Sequence, residues 1–173
     1  MELKPQDLLV VLKLLCYGEE SWTYTRLSGD LDLSLSMVHS AVKRAQSAKL
    51  FDINLDPPRP ARSNLKEFLL HGAKYAFPAE VGAPTRGIPT GYAAPPLSKV
   101  FGENAELPPV WPHPQGSVRG VSFSPLHEKA PFAALKDPRL YELLALLDAL
   151  RGGRAREREI AAKELSERVS SWR

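Results

Sequence analysis

Cysteine is almost missing from this 173-residue chain, in which Cys16 stands alone. A single thiol excludes an internal disulfide framework and any zinc cluster built on cysteines, and it suits a reducing compartment, so a cytoplasmic protein is expected. Long apolar runs are missing too. No stretch reaches the roughly 18 residues a membrane span needs, and MELKPQD at the start carries acids where a secretion signal would carry positive charge. Motifs of known catalysts are also absent: there is no G-x-S-x-G, H-E-x-x-H, G-x-x-x-x-G-K-[ST] or C-x-x-C. His71, His113 and His127 have no second ligand at metal-binding spacing. The expectation is a protein that is no enzyme and holds neither cofactor nor metal.

Proline is scarce in some places and dense in others. Residues 1–56 hold only Pro5, residues 57–138 hold the other fifteen, and residues 139–173 hold none. Apolar residues make up 43% of the chain, enough for a core, and the net charge is a mild +3. The proline distribution predicts a mainly α protein in three parts: an N-terminal helical domain over 1–77, an ordered proline-rich arm over 78–136, and a helical pair over 137–173. There is no internal repeat.

In the first part, KPQDLLVVLKLLCYG reads as a helix with Pro5 in its first turn and Gly18 as its stop. Between Leu8 and Tyr17 only Lys13 is charged, so this helix needs cover on every side. The tail or a second subunit is expected to supply it. Cys16 lies inside and reads as a small buried hydrophobe. Thr23 is placed to cap a short second helix with Leu27 and Leu31 inward, and Ser34 a third helix running to about Lys49. On a wheel of 3.6 residues per turn, Val38, Ala41, Val42, Ala45 and Ala48 share one face of the third helix. Ser36, His39, Ser40, Lys43 and Ser47 share the other, with Arg44 on the flank.

That outward face lacks acids. None occurs over residues 33–51, although Lys43, Arg44 and Lys49 do. An ordinary solvated helix mixes both signs. Short serines at a positive helix end let phosphates approach closely, and the major groove, about 12 Å wide, admits such a helix. DINLDPPRPARS then adds Arg59 and Arg62 on a loop. Residues 33–66 hold six bases against two acids, whereas residues 1–32 hold three bases against six acids. The candidate DNA-binding residues are therefore Ser34, Ser36, His39, Ser40, Lys43, Arg44, Arg59 and Arg62.

WTYTRLSGDLDLSLSMVHSAVKRAQSAKLF resembles the core of winged helix-turn-helix transcription regulators of the MarR-like bacterial type. Leu31, Leu33, Ser34, Ser36, Val38, Ala41, Val42, Lys43 and Arg44 match its turn and recognition-helix motif, L-x-L-S-x-S-x-V-x-x-A-V-x-R/K. The resemblance covers residues 4–77 and implies a homodimeric regulator of double-stranded DNA. Two departures stand out. Asp32 occupies a turn position usually held by glycine and is expected in a left-handed conformation. PPRP disfavours ladder pairing, so the wing is expected to be short or a loop.

A fourth helix, SNLKEFLLHGAKYAFP, is expected with Asn64 as cap and Pro78 as end. The proline-rich part carries Trp111, Val121 and Phe123, which are expected to be buried. GSVRGVSF alternates enough for one strand, and Arg86 is expected in a structural salt bridge, with an anionic ligand as the alternative. In the tail, Asp137 and Pro138 open a helix whose Leu140, Leu143, Leu144, Leu147 and Leu150 form a stripe; Gly152 and Gly153 stop it. A last helix follows with Ala161, Leu165, Val169 and Trp172 on its apolar side. Two functions fit: a homodimeric DNA-binding regulator, in the form of a repressor, or an antitoxin-like or adaptor module. The second would grip a partner enzyme through its arm or tail and could also regulate its own operon.

Overall fold

The computed structural model describes residues 1–102 and 106–173, and the protein is mainly α. Helix α1 (Pro5–Tyr17) starts at its proline and ends at Gly18, whose φ of 62° suits glycine. Every residue from Leu8 to Tyr17 is buried. The cover comes from α2 (Tyr24–Leu31), α3 (Leu35–Ser47), the hairpin strand β2 (Arg59–Pro60) and α8 (Pro138–Gly152) of the same chain. Of the two sources of cover expected, the tail supplies it, and the helix is sequestered within one chain.

The two following helices begin where their caps place them. Thr23 Oγ1 accepts the Arg26 N–H at 3.0 Å, and Ser34 Oγ accepts the Met37 N–H at 3.2 Å. Between them Asp32 takes the left-handed conformation (φ 52°, ψ 43°). Strands β1 (Phe51–Asp52) and β2 form an antiparallel pair only two residues long. Prolines at 57, 58 and 60 remove the donors a longer ladder would use. Helix α4 (Arg62–His71) starts three residues earlier than expected. Its cap position is Ala61, and Asn64 instead donates to the Lys49 carbonyl at 2.8 Å. The short α5 (Ala73–Ala76) follows Gly72.

The proline-rich region holds more sheet than the one strand expected. β3 (Val81–Pro89), β4 (Pro109–Pro112) and β5 (Val118–Phe123) close into a small three-stranded barrel. β3 runs antiparallel to both others, which are parallel to each other. Glycine makes the closure possible. A Cβ at Gly87 would stand 2.0 Å from the Trp111 carbonyl oxygen, and one at Gly120 2.1 Å from that of Pro108. Trp111 and Phe123 are buried as expected, and Val121 is half-buried. A 3-10 turn (Gly91–Ala93) and α6 (Ser98–Phe101) lie between β3 and β4.

After α7 (Ala130–Lys136), α8 runs through the middle of the molecule. Asp137 caps it through the Arg139 N–H, and its other carboxylate oxygen takes Lys13 of α1 at 2.7 Å. The five leucines of the stripe are buried against α1, α7 and α9 (Ala155–Ser171). One internal polar cluster ties the barrel to this helix. Asp148, 2% exposed, accepts Thr90 Oγ1 and Trp111 Nε1, both at 2.7 Å, and Arg151 at 2.8 Å. Burial raises the Asp148 pKa, opposed by Arg151 and the two neutral donors. Among the described residues no helix is long and apolar enough to cross a membrane.

Candidate nucleic-acid interface

Helix α3 presents two chemically distinct sides because of its residue spacing. Val38, Ala41, Val42 and Ala45 are buried against α1 and α2, which leaves Ser36, His39, Ser40 and Lys43 exposed on the other side. Ser34 and Ser36 stand at its N-terminus with their hydroxyl oxygens 3.2 Å apart. The Lys43 ammonium has no hydrogen bond or ion pair among the described residues. His39 is stacked on Tyr24 of α2, ring centroids 3.7 Å apart and 20° from parallel. That stacking holds the imidazole at the seam between the two helices. Nothing in the spacing of His39 pointed to Tyr24; a wheel drawn for one helix omits its neighbour.

Three of the eight candidate residues go elsewhere. Arg44 turns back from the flank onto Asp7 of α1, with Nε and Nη2 each 2.8 Å from a carboxylate oxygen. Asp7 is fully buried, so this forked pair neutralises a charge that would otherwise stand alone in the core. Hydrogen bonding to Asp7 raises the Arg44 pKa. Arg62 is no loop residue. It lies in the first turn of α4 and donates to the carbonyls of Val169 (2.6 Å) and Trp172 at the end of α9. It thereby satisfies acceptors that a helix C-terminus leaves open. Arg59 folds onto its own loop, donating to the carbonyls of Asp56 (2.9 Å) and Pro57 (3.2 Å). The exposed set that remains together is Ser34, Ser36, His39, Ser40 and Lys43.

Beside Lys43 lies a cleft of about 400 Å³ lined by Trp22, Tyr24, Gln46, Phe51, Ile53 and Pro58, among others. Trp22 Nε1 donates to the Pro58 carbonyl at 2.7 Å and so pins the hairpin loop against α2. Ile53 and Leu55 project from that loop, 50% and 42% exposed.

Elsewhere the side chains offer little chemistry. Cys16 is buried, and burial foremost drives its thiol far above the usual range, so it is no nucleophile. Among the described residues no three His, Cys, Asp or Glu side chains converge to hold a metal ion. Compared with known protein families, curated proteins and solved structures, the chain matches none.

Proposed function

We propose that the protein is a DNA-binding transcription regulator of the winged helix-turn-helix type, acting as a repressor, with α3 as its groove helix. The observation that carries this reading is the exposed side of α3. Besides the exposed Leu35 and Met37 near its start, it carries three short hydroxyls, one histidine and a lysine unpaired among the described residues, with no acid anywhere from Leu33 to Phe51. Affinity would come chiefly from phosphates, since the exposed face has no Asn, Gln or free Arg to fork onto a base and Gln46 lies half-buried in the cleft beside Lys43. The homodimer expected from the sequence now lacks its two arguments, because α1 and the leucine stripe are both covered within one chain. The DNA reading stands on a single chain.

The test is anisotropy of a labelled duplex taken from upstream of the protein's own gene, titrated at several salt concentrations. Lys43→Ala should lower the slope of log affinity against log salt by about 0.9, one phosphate's worth of counterion. His39→Ala or Ser40→Ala should change preference between sequences by about 1–3 kcal/mol where either reads a base edge. A Lys43→Ala protein with the parent's affinity and slope would remove α3 from the DNA. Ile53 and Leu55 favour the second reading, an antitoxin-like or adaptor module, because phosphates offer exposed apolar side chains no contact.

A further inference from the structure

Arg86, expected in a structural salt bridge with an anionic ligand as the alternative, has no ion pair among the described residues. Arg86 lies on β3 directly opposite Arg119 on β5. Both are exposed, and neither guanidinium has a hydrogen bond or ion pair among the described residues. Like charges placed face to face across an antiparallel pair repel each other and destabilise the sheet. The fold keeps them there nonetheless. Gly87 and Gly120, each next in sequence, point into the crowded barrel interior where no Cβ fits. Strand alternation therefore turns Arg86 and Arg119 outward together.

The row has a third member. β4 pairs with the other edge of β3, and the His113 N–H reaches the Arg86 carbonyl at 3.5 Å. Residue 113 thus follows the last ladder pair, Gly87 with Pro112, on the Arg86 side. His113 Nδ1 accepts the Gln115 N–H at 3.1 Å, which leaves its Nε2–H as a donor. His113, Arg86 and Arg119 are thus neighbours on the three adjacent strands of the barrel, each one strand spacing, roughly 5 Å, from the next, backbone to backbone. No carboxylate is near in sequence: residues 81–102 and 107–127, which contain all three strands, hold no Asp or Glu.

We propose that this row is a second nucleic-acid contact that binds successive backbone phosphates without reading sequence. Cations one strand spacing apart, with no acid beside them in sequence, suit the closely spaced phosphates along one strand, about one per 3.4 Å of axis. A guanidinium fork suits phosphate oxygens. The inference extends the DNA reading of α3 but rests on different residues, so the two can fail separately.

The experiment measures binding of a random-sequence duplex to the parent, to Lys43→Ala and to the Arg86→Gln/Arg119→Gln double variant, between about 50 and 200 mM salt. The double variant should lose about two units of salt slope, about 0.9 for each phosphate. It should melt no lower than the parent, because relieving the repulsion removes a destabilising term. An unchanged slope in the double variant, with a reduced one in Lys43→Ala, overturns the row and leaves α3. The reverse result keeps the row and removes α3. A parent that binds no duplex overturns both. Polyglutamate that binds the parent but not the double variant, with duplex binding equal in the two, would assign the row to an acidic protein surface and overturn the phosphate proposal.

Discussion

Replacing Arg44 by alanine should damage the fold and leave DNA binding alone, whereas replacing its neighbour Lys43 should do the opposite. Asp7 is fully buried and has two 2.8 Å bonds from Arg44, besides the Lys4 N–H at 2.7 Å. Without the guanidinium, a carboxylate stays in the core with one backbone donor. Removing one partner of a buried pair costs about 3–5 kcal/mol, out of roughly 5–15 for a whole domain. At about 2–4 °C of melting temperature per kcal/mol for a chain of this size, Arg44→Ala should melt about 6–20 °C below the parent. Lys43 is exposed and unpartnered, so Lys43→Ala should stay within about 0.5 kcal/mol. Differential scanning calorimetry gives both numbers. Duplex titrations at a temperature where both variants are folded give the other half, with the salt slope reduced for Lys43→Ala and kept for Arg44→Ala. The Asp7→Leu/Arg44→Met double variant should recover most of the loss, since an apolar pair can replace a buried ionic one. An Arg44→Ala protein that melts within about 2 °C of the parent yet loses salt slope would refute the assignment.

Three further outcomes follow from the packing. His127 is half-buried and its Nδ1 accepts the Lys129 N–H at 3.1 Å, and burial foremost holds its pKa below the ordinary 6.5. The unfolded chain therefore binds the proton first, and stability falls as pH drops through 6.5 toward the folded value. His127→Asn, which keeps an acceptor but does not titrate, should flatten that part of the urea-midpoint profile; identical profiles would contradict this. Gly120→Ala should cost about 1–3 kcal/mol or more by driving its methyl into the Pro108 carbonyl. Gly29→Ala, in open space on α2, should instead stabilise by about 0.4–1 kcal/mol in the same melts. Light scattering of the DNA-free protein at micromolar concentration should give the 19.1 kDa monomer mass; twice that mass would show that a surface other than α1 or the leucine stripe pairs the subunits.

Local chemistry was readable before any coordinates. Pro5 and Gly18 bound α1, Thr23, Ser34 and Asp137 cap their helices, and Asp32 takes the left-handed turn. Each of these depends on atoms within a few residues, so spacing carries the information. The barrel was not readable, because its register joins residues such as Gly87 and Val118, and such pairing leaves little trace in a short window. Charge was the most misleading quantity. Of the six bases over residues 33–66, Arg44 is claimed by Asp7, 37 residues away, Arg62 by the end of α9, and Arg59 by its own loop. Counting them as a basic face treated each as free. Asp7 held the clue. An acid at the start of a helix buried on all sides requires a cation from another element, and a flanking arginine on the helix packed against it is the side chain that can reach. By the same reasoning, a base with no acid near it in sequence or across its sheet is available for a partner. That condition holds for Lys43 on α3 and for the Arg86–Arg119 pair on the barrel.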